Sequence, residues 1–196
     1  MKPSRQVLFR KLQALYERME AAYDEVAQAL GHDCAGCPKN CCASYFQHHT
    51  YLEWSYLLSC LKVLPAAAQA EVRERAQAYV DAAAAARNFG RTPEAMCPLC
   101  LAGRCIVHPQ RLMICRLHGV PNVLLQPSGR QLAFPGCWRC QELVQGREGQ
   151  LPVLDRTAFY RELAALEMAF LGNKARTLPR ADLTLAEMIL AGPPPV

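Results

Sequence analysis

At 196 residues the chain is long enough to bury roughly 70% of its unfolded surface, so it does not need metal merely for want of a core. Its 52% hydrophobic and 20% charged residues are close to an ordinary globular protein and suggest a single domain, 1–196. The excess of 22 Lys+Arg over 17 Asp+Glu, a net +5, is too modest to signal nucleic acid, and no apolar run is long enough to span a bilayer.

From Ser4 to Leu30 the apolar residues Leu8, Leu12, Leu15, Met19, Tyr23, Val26 and Leu30 recur at spacings of three and four, which predicts a helix stopped by Gly31. His32 and Asp33 follow as turn residues that could also be ligands. Then Cys34, Cys37, Cys41 and Cys42 fall within nine positions. A buried thiol packs only as a small hydrophobe, so such density makes better sense as a metal grip. The gap between Cys34 and Cys37 lets both curl round one ion, with Gly36 and Pro38 suiting the turn and Asn40 helping the backbone enter a helix. The adjacent Cys41 and Cys42 point in different directions, which fits two irons of one cluster or two separate centres better than one tetrahedral ion.

His48 and His49 invite a mixed Cys/His site, but read more simply as a solvated loop. Thr50 to Glu53 is a capping box for a helix through about Leu64, with Tyr56, Leu57, Cys60, Leu61 and Leu64 inward, so Cys60 reads as core. Pro65 suits a first helical position, and the alanine-rich stretch from Ala66 to Arg87 predicts a helix with Val72, Ala76, Tyr79, Val80 and Ala83 on one side. The next cysteine region holds Cys97, Cys100, Cys105 and Cys115. Arg104, Arg111 and Arg116 lie among them, placed to offset thiolate charge from just outside the ligand shell.

Val123–Leu125 and Gln131–Phe134 flank a Pro-Ser-Gly-Arg turn and read as a short hairpin. Cys137 and Cys140 form another two-residue-gap pair. They are extra ligands for the metal region or free thiols, since no thioredoxin-like alternation of strands and helices surrounds them. Asp155 caps the last long helix, with Phe159, Leu163, Leu166 and Phe170 inward and Gly172 at its end; Thr184 and Glu187 box a final helix through Leu190. The expected fold is mainly α: a helical domain around a loop-rich cysteine metal centre at 33–142, flanked by helices in 1–31 and 155–191, with one small β-hairpin.

Eleven cysteines could form a disulfide framework, but the count is odd, the spacings are ligand-like and no signal peptide is expected ahead of the first helix. A cytoplasmic, thiol-reducing setting follows. The ligand pool is Cys34, Cys37, Cys41, Cys42, Cys97, Cys100, Cys105, Cys115, Cys137 and Cys140. All-thiolate donors suit zinc or iron–sulfur clusters and exclude magnesium and calcium. The Cys34, Cys37, Cys41 run approaches the bacterial ferredoxin pattern, and the adjacent Cys41-Cys42 favours a multinuclear centre, so a four-iron cluster leads and zinc is the alternative.

With the Cys34, Cys37, Cys41, Cys42 knot and the later Cys97-Pro98, Gly103-Arg104-Cys105, Arg111 and Cys115-Arg116 run, the sequence resembles the YkgJ-type cysteine-cluster family, described as a zinc- or iron-chelating domain. His108 stands where that family has Tyr, and Leu112 where Pro follows Arg; Cys100 is an addition. The resemblance implies metal chelation over roughly Cys34 to Cys115. Similar clusters occur in flagellin lysine N-methylases, where an iron–sulfur cluster is the family expectation. The expected function is therefore a metal-binding protein holding an iron–sulfur cluster for electron transfer, sensing or metal handling, with metal ions and a redox or protein partner. The alternatives are a zinc-stabilised interaction protein and a cluster-dependent group-transfer or protein-modifying enzyme. Against an enzyme, the sequence carries no phosphate-cradling glycine loop, nucleophile elbow or paired carboxylates. An open metal position bordered by His108, His118 or Arg111 would restore that reading.

Overall fold

The computed structural model describes residues 3–35, 37 and 41–196. Helix accounts for 55% of the described residues, which hold seven α-helices and sheets of only two and three strands, so the fold is mainly α with a small β element. In chain order the elements are α1 (Arg5–Leu30), α2 (Tyr51–Leu61), α3 (Ala66–Asn88), β1 (Cys100–Leu101), β2 (Arg104–Cys105), α4 (Met113–Leu117), β3 (Asn122–Leu125), β4 (Gln131–Phe134), α5 (Trp138–Val144), β5 (Leu154–Asp155), α6 (Thr157–Leu171) and α7 (Leu185–Ala191). No helix among the described residues is long and apolar enough to cross a membrane. The turn roles expected of Gly36, Pro38 and Asn40 lie outside the described residues.

The contacts divide the chain into two compact units. The first takes Met1–Pro3, Lys39–Leu112 and Glu167–Val196; the second takes Ser4–Pro38 and Met113–Leu166. In the first unit, Thr50 caps α2 as expected. Its Oγ1 accepts from the Glu53 N–H at 3.3 Å and donates to Glu53 Oε2 at 2.9 Å. The Glu167 carboxylate takes the next two free N–H groups of that helix, Tyr51 at 2.9 Å and Leu52 at 2.8 Å. The helix stops at Leu61, earlier than its apolar stripe suggests, because Leu64 precedes a proline and proline disfavours helical backbone in the residue before it. Pro65 accordingly caps α3 from outside the helix. The face Val72, Ala76, Tyr79 and Ala83 is buried, and its small residues let α7 pack against α3. Thr184 and Glu187 close the expected capping box at the start of α7.

His48 departs from the solvated loop expected of it. Its backbone exchanges hydrogen bonds with Leu183 at 2.8 and 3.2 Å, and this antiparallel bridge draws the ring to 1% exposure. His49 stays exposed and meets Asp182 Oδ1 at 2.6 Å.

In the second unit, Ser4 caps α1, and Leu8, Leu12, Leu15 and Met19 from the expected stripe are fully buried. Gly31, at φ 68°, supplies the left-handed stop: its N–H bonds Gln28 O at 3.0 Å and that of His32 bonds Ala27 O at 2.8 Å. α1 packs on α4 and β5. The predicted hairpin is present, β3 and β4 pairing antiparallel from Asn122 opposite Phe134 to Leu125 opposite Gln131. β5 joins β3 in parallel, too short to announce itself in a pattern of alternation. Asp155 accepts the Thr157 N–H at 2.8 Å at the start of α6, the capping role expected of it, and those Thr157 hydrogen bonds hold its carboxyl below the usual carboxylate range.

Candidate metal centre

The first unit gathers five of the ten candidate ligands: Cys41, Cys42, Cys97, Cys100 and Cys105. Backbone hydrogen bonds bring them together. A second hairpin, absent from the sequence reading, is formed by β1 and β2 around Ala102 and Gly103, whose φ values of 46° and 79° are those of a two-residue turn that twists with its strands. Cys100 and Cys105 face each other across it, and directly opposed residues place their Cβ atoms about 4.5–5.5 Å apart on one side. Cys97 sits one tight turn earlier, its carbonyl accepting the Cys100 N–H at 3.0 Å. The Cys97 N–H in turn reaches the carbonyl of Cys42 at 2.8 Å, tying a stretch some fifty residues earlier to the hairpin. Cys41 and Cys42 lie on a single 3₁₀ turn, Cys41–Ala43. Arg75 anchors the hairpin from α3, donating to the Cys100 carbonyl at 2.6 Å.

The thiols feel one another. The Cys42 thiol hydrogen-bonds the Cys41 sulfur and, with Arg111 adding positive charge, brings Cys41 down to about 7. Cys42 is correspondingly pushed up by that shared hydrogen bond, by burial and by the charges of Cys41, Cys97 and Cys100. Burial raises Cys97 to about 12 and raises Cys105 as well, with Cys100 adding repulsion in both cases and Arg111 opposing it at Cys105. Of the three arginines singled out in the sequence, Arg111 therefore acts on this group. Arg104 is exposed on β2. Arg116 belongs to the second unit, where its buried guanidinium pairs with Glu20 and lies 4.3 Å above the Tyr16 ring. Cys60 is half-buried on α2, raised by burial, and its thiol responds to Ser59 and Tyr56.

The other candidates, Cys34, Cys37, Cys115, Cys137 and Cys140, belong to the second unit. Cys137 takes the position before α5, its N–H bonded to Gly119 O at 2.9 Å, and Cys140 is fully buried one turn on. Gly136, at φ 90°, admits this approach: a Cβ there would lie 3.0 Å from Gly119 O and 3.2 Å from the Cys140 sulfur. Cys34 lies 3.8 Å from both Tyr23 Oη and His32 Nε2. Cys115 is half-buried on α4 and Cys37 half-buried after the 34–35 turn. Of the two histidines named as neighbours of an open metal position, His108 is exposed and His118 is packed in the second unit. The His108 carbonyl accepts from Arg111, and His118 packs on Phe134 at 5.1 Å between ring centres, its pKa lowered by burial.

The soft, all-sulfur donor set of the first unit fits zinc or an iron–sulfur cluster and is wrong for hard cations. The thiols are gathered without being closed round a point: among the described residues no three Cys, His, Asp or Glu side chains stand at metal-binding separation. The residues that sequence reasoning missed are Arg75 and Gly136. Only Gly136, a glycine directly before a cysteine, carried any signal. The sequence matches no protein-family model, no curated protein and no solved structure.

Proposed function

We propose that this is a metal-binding protein holding an iron–sulfur cluster, four-iron in preference, on thiolates drawn from Cys41, Cys42, Cys97, Cys100 and Cys105. One observation carries the reading: two distant stretches are hydrogen-bonded together, Cys97 to Cys42, so that five thiols share one unit with an arginine acting on them. Five thiols exceed what one tetrahedral ion takes and suffice for a cluster that takes four. The motif resemblance to the YkgJ-type family points the same way. A bound cluster supplies one-electron redox chemistry. The protein's part is to surrender thiol protons as metal enters, to offset the resulting negative charge with Arg111, and to hold the ligand hairpin through Arg75. Electron transfer, sensing or metal handling in a thiol-reducing compartment are the roles this chemistry serves.

The test is anaerobic purification followed by analysis for iron, sulfide and zinc. A brown protein with about four irons and matching sulfide is expected. Cys97→Ser should lose the metal and Cys60→Ser should keep it. A colourless protein with zinc on these thiols would replace the cluster by a zinc site, and equal metal loss in both variants would overturn the assignment of ligands.

A further inference from the structure

We infer that Cys137 and Cys140 are a redox-active dithiol, which closes reversibly to an internal disulfide by exchange with low-molecular-weight disulfides. The pair lies within the second unit and is separate from the five thiols of the first. Cys137 stands immediately before α5 in extended backbone, and its carbonyl accepts the Gln141 N–H at 2.9 Å, so its Cα already lies on the first helical turn. Cys140 comes three residues later. On a helix that spacing separates two Cα atoms by about 5 Å, inside the roughly 4.4–6.8 Å that a disulfide bridges. The Cys137 side chain makes no capping hydrogen bond. A side chain in this position folds back over the helix start toward the third helical residue, which here is Cys140.

The Cys140 sulfur is turned toward the same place. A Cβ added to Gly136, the residue before Cys137, would lie 3.2 Å from that sulfur, which therefore packs against the backbone leading into Cys137. The turn that carries both thiols is clamped. The Cys137 N–H bonds Gly119 O at 2.9 Å, Gln141 Nε2 bonds Gly136 O at 2.8 Å, and Arg139 between the two cysteines bonds Ala35 O at 2.8 Å. With the backbone at bridging span, the thiols meet by side-chain rotation. Their exposure divides the chemistry: Cys137 is half-buried and Cys140 fully buried, so an external disulfide reaches the first and not the second. The Cys137 thiolate attacks one sulfur of the external disulfide, whose S–S bond breaks and releases one thiol. Cys140 then attacks the Cys137 sulfur of the mixed disulfide, closing the internal bond and expelling the second thiol. Two protein thiols are oxidised by two electrons, one external disulfide is reduced, and both protons leave on the two released thiols.

The experiment uses the full chain, reduced, freed of reductant and equilibrated with mixtures of reduced glutathione and glutathione disulfide. Acid quenching, alkylation of the remaining thiols, trypsin digestion and mass spectrometry then map the linkage. Trypsin cuts after Arg139, so Cys137 and Cys140 part into separate peptides unless they are bonded. The linked pair of peptides should appear as glutathione disulfide increases and be lost when reduced glutathione is returned. Cys140→Ser should instead accumulate a glutathione adduct on Cys137, whereas Cys137→Ser should carry no adduct on Cys140. Absence of the link, a link from either cysteine to Cys34 instead, a link that reduced glutathione does not open, or an adduct on Cys140 in Cys137→Ser would each overturn the assignment. If Cys140→Ser fails to fold, the linkage in the wild-type chain decides. Failure of the first site would show as missing iron with this linkage unchanged, so the two readings fail separately.

Discussion

Replacing His48 by leucine should remove most of one acid-sensitive element of the fold. The ring is 1% exposed, neither nitrogen has a hydrogen-bond partner, and burial pushes its pKa from 6.5 down to about 3, with His49 adding a smaller push. In the unfolded chain the same ring takes up a proton near 6.5. Above that pH both states are neutral and the residue makes no pH-dependent contribution. As the pH falls below 6.5 the unfolded state binds a proton that the native state refuses, so stability is lost, and the loss saturates only below about 3. At 1.36 kcal/mol per pH unit this gives about 2 kcal/mol between pH 7.5 and pH 5, and about 5 kcal/mol at the acid limit. Leucine is of similar bulk, carries no proton and leaves no buried nitrogen unpaired. Urea unfolding of wild type and His48→Leu at pH 7.5, 6 and 5 should therefore show the gap between them widening by about 2 kcal/mol in favour of the variant. Equal losses in both proteins, or a His48 ring that titrates near 6.5 by NMR in the native state, would refute the reasoning.

Gly119→Ala should destabilise the second unit by about 1–3 kcal/mol, because the new Cβ would lie 1.9 Å from Tyr23 Oη. Adding Tyr23→Phe removes that nearest atom and should recover part of the loss in urea midpoint, though the ring carbon at 2.8 Å remains; no recovery would show that the ring carbons, not the hydroxyl, set the limit. Thr184→Ala should cost about 1 kcal/mol by opening the capping box at Glu187, while Thr184→Ser should cost much less, as thermal unfolding can check.

The long helices were legible because their evidence is local. In α1 the stripe from Leu8 to Met19, the Ser4 cap and the Gly31 stop all lie in one continuous segment, and each acts through neighbours three or four residues away. The same holds for the Thr184 capping box and for the β3–β4 hairpin, whose turn and strands are contiguous. The short elements were less so: α4, α5 and β5 carry too few residues for a period to emerge. The β1–β2 hairpin was hidden because its turn places an ordinary Ala102 at positive φ before Gly103.

What the sequence determined by itself is therefore the helical frame and the pool of candidate sulfur donors, since composition, period and capping are properties of neighbouring residues. How those donors are grouped was a tertiary matter. Four thiols in nine positions read as one grip, yet Cys34 and Cys37 fall in one unit and Cys41 and Cys42 in the other. Cys42 meets Cys97 through a backbone bond across some fifty residues, and His32 meets Cys34 because a left-handed glycine turns the end of a helix. Neither depends on a repeat that can be read along the chain: the first comes from long-range backbone pairing, which acts only once the chain has folded back on itself, and the second from a local turn that no period marks.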